Sequence, residues 1–204
     1  EESLKNDGIK ISLQSLSNIV SVLFGYKDFE ELLADKNFNN ETLDKIEFIY
    51  YDDELAKRLE EILLEEDSEN EDLTSDMLFE HFEIIFDDLN FSLVSGDDLA
   101  EKCKETFENN RYNVFDTEGL SGAIAESDTV FDEIEDINIE QFEFDNGFYT
   151  ELSAHASGSH YKEEGVSGRS MSVYIQMKSS VLIGKFGLGS IEEGDVSGTL
   201  DDYE

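Results

Sequence analysis

Two hydrophobic periods run along the chain. Leu13, Leu16, Ile19, Val20 and Leu23 recur at helical spacing, with Gly25 placed to stop them, which predicts a helix from Ser12 to Phe24. A short helix is expected from Asp28 to about Ala34. Asp52 can cap the next helix, whose stripe is Leu55, Leu59, Ile62 and Leu63. Thr74 or Ser75 opens another, with Leu78, Phe82, Ile85 and Leu89 inward. Ser95 and Asp98 form a capping box ahead of Leu99, Cys103 and Phe107. Each of these helices sets a narrow apolar stripe against a wide acidic face.

After residue 136 the period falls to two. Ile137 to Asp145 alternates imperfectly, as a strand with a bulge would, and Asn146-Gly147 is a type I′ hairpin signal. Phe148, Thr150, Leu152, Ala154 and Ala156 then alternate with polar positions. Met171, Val173, Ile175 and Met177 do the same, and Val181 to Phe186 reads as a further strand. The reading is α+β: an acidic, mainly helical region 1–145 followed by a Gly-rich antiparallel β region 146–204. Nine of the 14 glycines lie in 146–204, which puts the composition boundary near Asp145-Asn146-Gly147. The chain has no proline, so the usual linker punctuation is missing and the two regions can form one continuous domain.

Charge changes the picture more than any motif. The 204 residues carry 51 Asp and Glu against 14 Lys and Arg, a formal net charge of -37. Residues 41–145 hold 35 of those acids and six bases, net -29. Hydrophobic residues at 39%, with 15 Phe and 8 Tyr, nonetheless supply a core, so the chain is expected to fold. Unaided nucleic-acid binding is disfavoured, because such a surface repels phosphates. No apolar run approaches about 20 residues, so no membrane span is expected. The single cysteine, Cys103, gives no internal disulfide and fits a reducing, cytoplasmic compartment. The chain begins at Glu1, which implies a processed or excised segment.

Catalytic and metal chemistry find little support. His81 falls beside an apolar helix face, while His155 and His160 lie on or after a strand near Ser157, Ser159 and Ser170. A serine hydrolase needs a positioned nucleophile, and the G-x-S-x-G elbow is missing. Cys103 sits on an apolar stripe, where a core thiol is the simpler reading. Gly184 to Ser190 matches neither phosphate-loop pattern and reads as a strand-end turn. The acid run 65–72 lacks glycine at the sixth position of a calcium loop, and one Cys with three scattered His offers no zinc spacing. No catalytic residue, cofactor or metal is assigned.

A run of acids is ordinarily a solvated face, but -29 over 105 residues is a standing cost to compactness. Halophilic solubility would be one compensating use, and the predominance of Lys among the bases and the abundance of Phe argue against it. Imitation of a polyanion is the other: 29 net charges equal those of about 15 base pairs of B-DNA. Carboxylates three or four residues apart on a helix lie about 5–6 Å from one another, which makes rows of charge. In charge density, residues 41–145 resemble the DNA-mimic proteins of phages and plasmids, including antirestriction and anti-CRISPR inhibitors. Leu23-Phe24-Gly25-Tyr26-Lys27-Asp28-Phe29-Glu30-Glu31-Leu32 is similar to the helix, Gly-aromatic, short-helix segment that opens some small plasmid-borne proteins.

The resemblance implies a non-enzymatic inhibitor that occupies the DNA- or RNA-binding surface of a basic host protein in the host cytoplasm. The electrostatic contacts are expected from Asp52, Asp53, Glu54, Glu61, Glu65, Glu66, Asp67, Glu69, Glu71, Asp72, Asp87 and Asp88. A chaperone-like acidic protein for another kind of basic partner is the alternative, and an enzyme with its site in 146–204 the third. A homodimer joined through the Met171–Met177 strand would align two acidic parts into a longer strip.

Overall fold

The computed structural model describes residues 12–66, 75–87, 91–162 and 166–201. It is α+β, and the chain divides into two compact units. The first comprises residues 1–96 with 180–190, the second residues 97–179 with 191–204. The composition boundary at residues 145–147 falls at a hairpin turn inside the second unit.

In the first unit α1 spans Leu13–Leu23, and Ser12 caps it by accepting a hydrogen bond from the Ser15 amide through its hydroxyl. Gly25 ends that helix at φ +82, a left-handed conformation suited to glycine. α2 (Phe29–Ala34) is capped by Asp28, which accepts from Glu31 N–H at 2.9 Å. α3 (Asn40–Leu43), which the periodicity does not announce, leads to β1 (Phe48–Tyr50). α4 (Asp53–Glu66) and α5 (Ser75–Asp87) then carry the chain to β2 (Ser92–Val94). β1 and β2 pair in parallel, which requires such a crossover. Ile19, Leu23, Leu32, Ile49, Leu55 and Leu59, each at most 1% exposed, centre the core of this unit. Phe79, Phe82 and Phe86 of α5 join them.

The second unit opens with α6 (Gly96–Asn110), a 3-10 turn over Arg111–Asp116 and α7 (Glu118–Ser127). β3 (Thr129–Phe144) and β4 (Gly147–His160) form an antiparallel hairpin around Asn146-Gly147, with Asn146 at φ +54. β5 (Met171–Ile183) and β6 (Gly187–Leu200) follow, and the strand order of the sheet is β2-β1-β6-β5-β4-β3. Phe148, Thr150, Leu152, Ala154 and Ala156 of β4 are buried in strict alternation, as are Met171, Val173, Ile175 and Met177 of β5.

Three expectations need correction. The β part does not begin after residue 136, because β3 starts at Thr129. The sheet is not purely antiparallel or confined to the C-terminal region, since β1 and β2 belong to it. Val181 to Phe186 is not a separate strand: Val181–Ile183 ends β5, Gly184 turns at φ +58, and β6 follows. β6 was hidden by its glycines, which replace side chains where neighbours come close. A Cβ on Gly187 would lie 3.0 Å from Ile46, and one on Gly194 would lie 3.2 Å from the Gln176 carbonyl oxygen.

Candidate partner-binding surface

The twelve predicted carboxylates do not fare alike. Asp52 is the cap of α4: its Oδ1 accepts from Leu55 N–H at 2.8 Å, so this carboxylate already has structural work. Asp53 and Glu54 are exposed in the first turn of α4, where the helix dipole favours acids. Glu61 is exposed seven residues beyond Glu54, two turns along the same face. Lys57 is exposed between them, whereas Arg58 reaches inward to the Tyr26 carbonyl at 3.4 Å. Glu65 and Glu66 close α4 and Asp87 closes α5, but only their backbone positions are described. Asp67, Glu69, Glu71, Asp72 and Asp88 lie outside the described residues.

A second acidic row was missed. β3 exposes Asp132, Glu133, Glu135, Asp136, Glu140 and Glu143 along one strand at the end of the sheet order. Residues two apart on a strand are about 6.6–6.8 Å apart, so this row is nearly as dense as a helical one. In the same unit α6 exposes Asp97, Asp98, Glu101 and Glu105. Neutralisation within the chain is arithmetically impossible: if all 14 bases paired, 37 acids would remain. The pairs that do form, such as Lys45–Glu41 at 3.3 Å and Lys162–Asp128 at 3.6 Å, are exposed and weak.

The groups weighed for an enzymatic reading sit as follows. His155 Nδ1 lies 3.6 Å from Asp201, which also accepts from the Ser172 hydroxyl at 2.9 Å. The carboxylate is therefore the centre of this cluster, whereas a hydrolase needs the imidazole between serine and acid. Hydrogen bonds from Ser170 and Ser172, with His155 nearby, hold Asp201 below the usual carboxylate range. At the end of β4 the His160 and Tyr161 rings stack, and Lys162 sits 4.7 Å over Tyr161. Gly184 to Ser190 is a β-hairpin turn with its flanks, in which Lys185 N–H donates to the Phe24 carbonyl at 2.8 Å. Among the described residues no three His, Cys, Asp or Glu side chains are arranged to hold a metal ion, and no helix is long and apolar enough to cross a membrane.

Cys103 is fully buried in the core of the second unit, and burial pushes its thiol up to about 12. Thiolate, the reactive form, is then scarce at neutral pH. A disulfide-exchange reagent is expected to label it at least about 100-fold more slowly in the native chain than in denaturant, at the rate at which this unit opens. Equal labelling rates would show that α6 does not stay packed.

Comparison of the chain with known protein families, with curated proteins and with solved structures finds no match. The surface must be read from its own chemistry.

Proposed function

We propose that this chain is a non-enzymatic acidic inhibitor that occupies the nucleic-acid-binding surface of a basic host protein, a nuclease or another DNA- or RNA-binding protein. The observation that carries the reading is density of unneutralised charge on regular elements. α4, α6 and β3 each present rows of exposed carboxylates, so negative charge is held at defined spacing rather than on a floppy tail. A groove that releases counterions from phosphates can release them from such rows as well. The partner class follows from sign alone: only a strongly basic surface gains from meeting a chain of net charge -37. The Met171, Val173, Ile175 and Met177 face is buried within the chain, so the apolar surface invoked for a homodimer is already covered.

The test is competition. Titrated into a preformed complex of target and labelled DNA, the chain is expected to release DNA at near-stoichiometric amounts without turnover, and less effectively as salt rises. Glu61→Lys with Glu65→Lys is expected to weaken release more than the equal charge change Glu192→Lys with Glu193→Lys on β6. A target that binds the chain and DNA together with unchanged affinities would replace this reading with that of an acidic chaperone-like protein.

A further inference from the structure

The first turn of α6 and the far half of β3 border an open groove of about 520 Å³, with Asp97, Ala100 and Glu101 on one side and Ile139, Glu140 and Phe142 on the other. Its floor is apolar. Ala100 is buried, and the Phe142 ring stacks on buried Phe148 at a centroid separation of 5.8 Å. One side of the Phe142 ring is thus held by the core while the residue stays 39% exposed. The rim is acidic: Asp97 and Glu101 are exposed, and the Glu140 carboxylate is steadied by the Ser153 hydroxyl.

An apolar floor under a negative rim suits a side chain with an aliphatic stem and a cationic head. The α6 N-terminus opposes a cation with about half a positive charge, against three carboxylates, so the carboxylates win. The described carboxylates are not arranged to hold a metal ion, which favours a broad organic cation over a small one. Between lysine and arginine, the planar guanidinium can lie on the open side of Phe142 and engage two carboxylates at once. β3 ends the strand order and pairs with β4 alone among the described strands, and its register is irregular between Ile139 and Gln141. An extended segment can therefore lie beside the groove.

We propose that this groove anchors one arginine of an extended, basic segment of a protein partner. The proposal rests on the basic-partner reading above and assigns it a specific anchor. The probe is the capped pentapeptide acetyl-Thr-Val-Arg-Val-Thr-amide, with its glutamine counterpart as control, followed by amide chemical shifts at about 150 mM salt, where loose surface attraction is screened. The expected result is saturable shifts at Ala100, Glu101, Gln141 and Phe142 with the arginine peptide and none with the glutamine peptide. Asp97→Asn with Glu101→Gln is expected to weaken binding at least about tenfold, and Phe142→Leu about two- to fivefold. Equal shifts with both peptides, or shifts spread over α4 and β3 alike, would overturn it. A chain that fails here but still displaces DNA from its target keeps the mimicry and loses the groove. One that passes here yet binds its target alongside DNA keeps the groove and loses the mimicry.

Discussion

Gly119→Ala is expected to be among the most damaging small substitutions in this chain, while Gly122→Ala, three residues along the same helix, is neutral or stabilising. A methyl group on Gly119 would overlap the backbone carbonyl oxygen of Val196 and stand 2.8 Å from its carbon. Neither is the movable end of a side chain, so α7 or β6 must shift. Nothing lies within 4 Å of the position a Gly122 methyl would take, and alanine there simply gains helix propensity. The expected cost at Gly119 is about 3 kcal/mol or more, and the gain at Gly122 about 0.5–1 kcal/mol. In a chain of this size those values translate to a melting temperature about 6–12 °C lower and about 1–4 °C higher, respectively. Thermal melts followed by circular dichroism decide it. Two variants melting together would mean that α7 does not approach β6 as closely as described.

Salt and mild acid are expected to stabilise the fold strongly. Two like charges 10 Å apart in water cost about 0.4 kcal/mol before screening, and each carboxylate on α4, α6 or β3 has several such neighbours. Raising salt from about 0.01 M to about 1 M shortens the screening length from about 30 Å to about 3 Å and removes nearly all of that repulsion. Part of it also exists in the unfolded chain, so a net gain of about 3 kcal/mol, or 6–12 °C, is the expected size. Mild acidification toward the isoelectric point of about 4.1 works in the same direction by reducing the net charge.

The acid gain has a floor. Asp35, held low chiefly by the Tyr26 hydroxyl, and Asp201, held low chiefly by Ser170, both have depressed folded values. Their contributions are complete above the ordinary carboxylate range and vanish as pH falls through the folded values, so stability turns down again in stronger acid. On the alkaline side the signs reverse. Burial and the bond to Asp35 raise the Tyr26 hydroxyl, and burial raises Cys103, so their contributions hold below the ordinary phenol and thiol values and are lost above them. A melting temperature indifferent to salt would show that repulsion among the carboxylates is as large in the unfolded chain as in the folded one.

What the sequence made legible was whatever local chemistry decides. Asp52 caps the helix it was expected to cap, Gly25 stops the first, and Asn146-Gly147 turns the hairpin. The misreadings have physical causes. In β3 the buried residues Phe131, Ile134 and Ile137 are three apart, because register shifts at Phe131/Glu133 and Glu135/Asn138 each insert a residue. That spacing imitates a helix and conceals the first half of the strand. β1 and β2, three residues each, are too short to show a period. α7 contains Gly119 and Gly122, which weaken its pattern. Acidic residues were expected to gather on helices, where i to i+4 spacing is easy to see, so the row on β3 was counted in the charge but not placed.

That row has a consequence for how the protein survives its own shape. A 16-residue strand at the margin of a sheet, carrying Ile134, Ile137, Ile139 and Phe142, is a template on which another copy could add itself. Its carboxylates forbid this at neutral pH, since every incoming copy brings the same charges to the same register. Near the isoelectric point of about 4.1 that veto lapses while the hydrogen-bonding margin remains. Acidification to about that pH should therefore remove the chain from solution as stacked sheets before it yields soluble unfolded polypeptide.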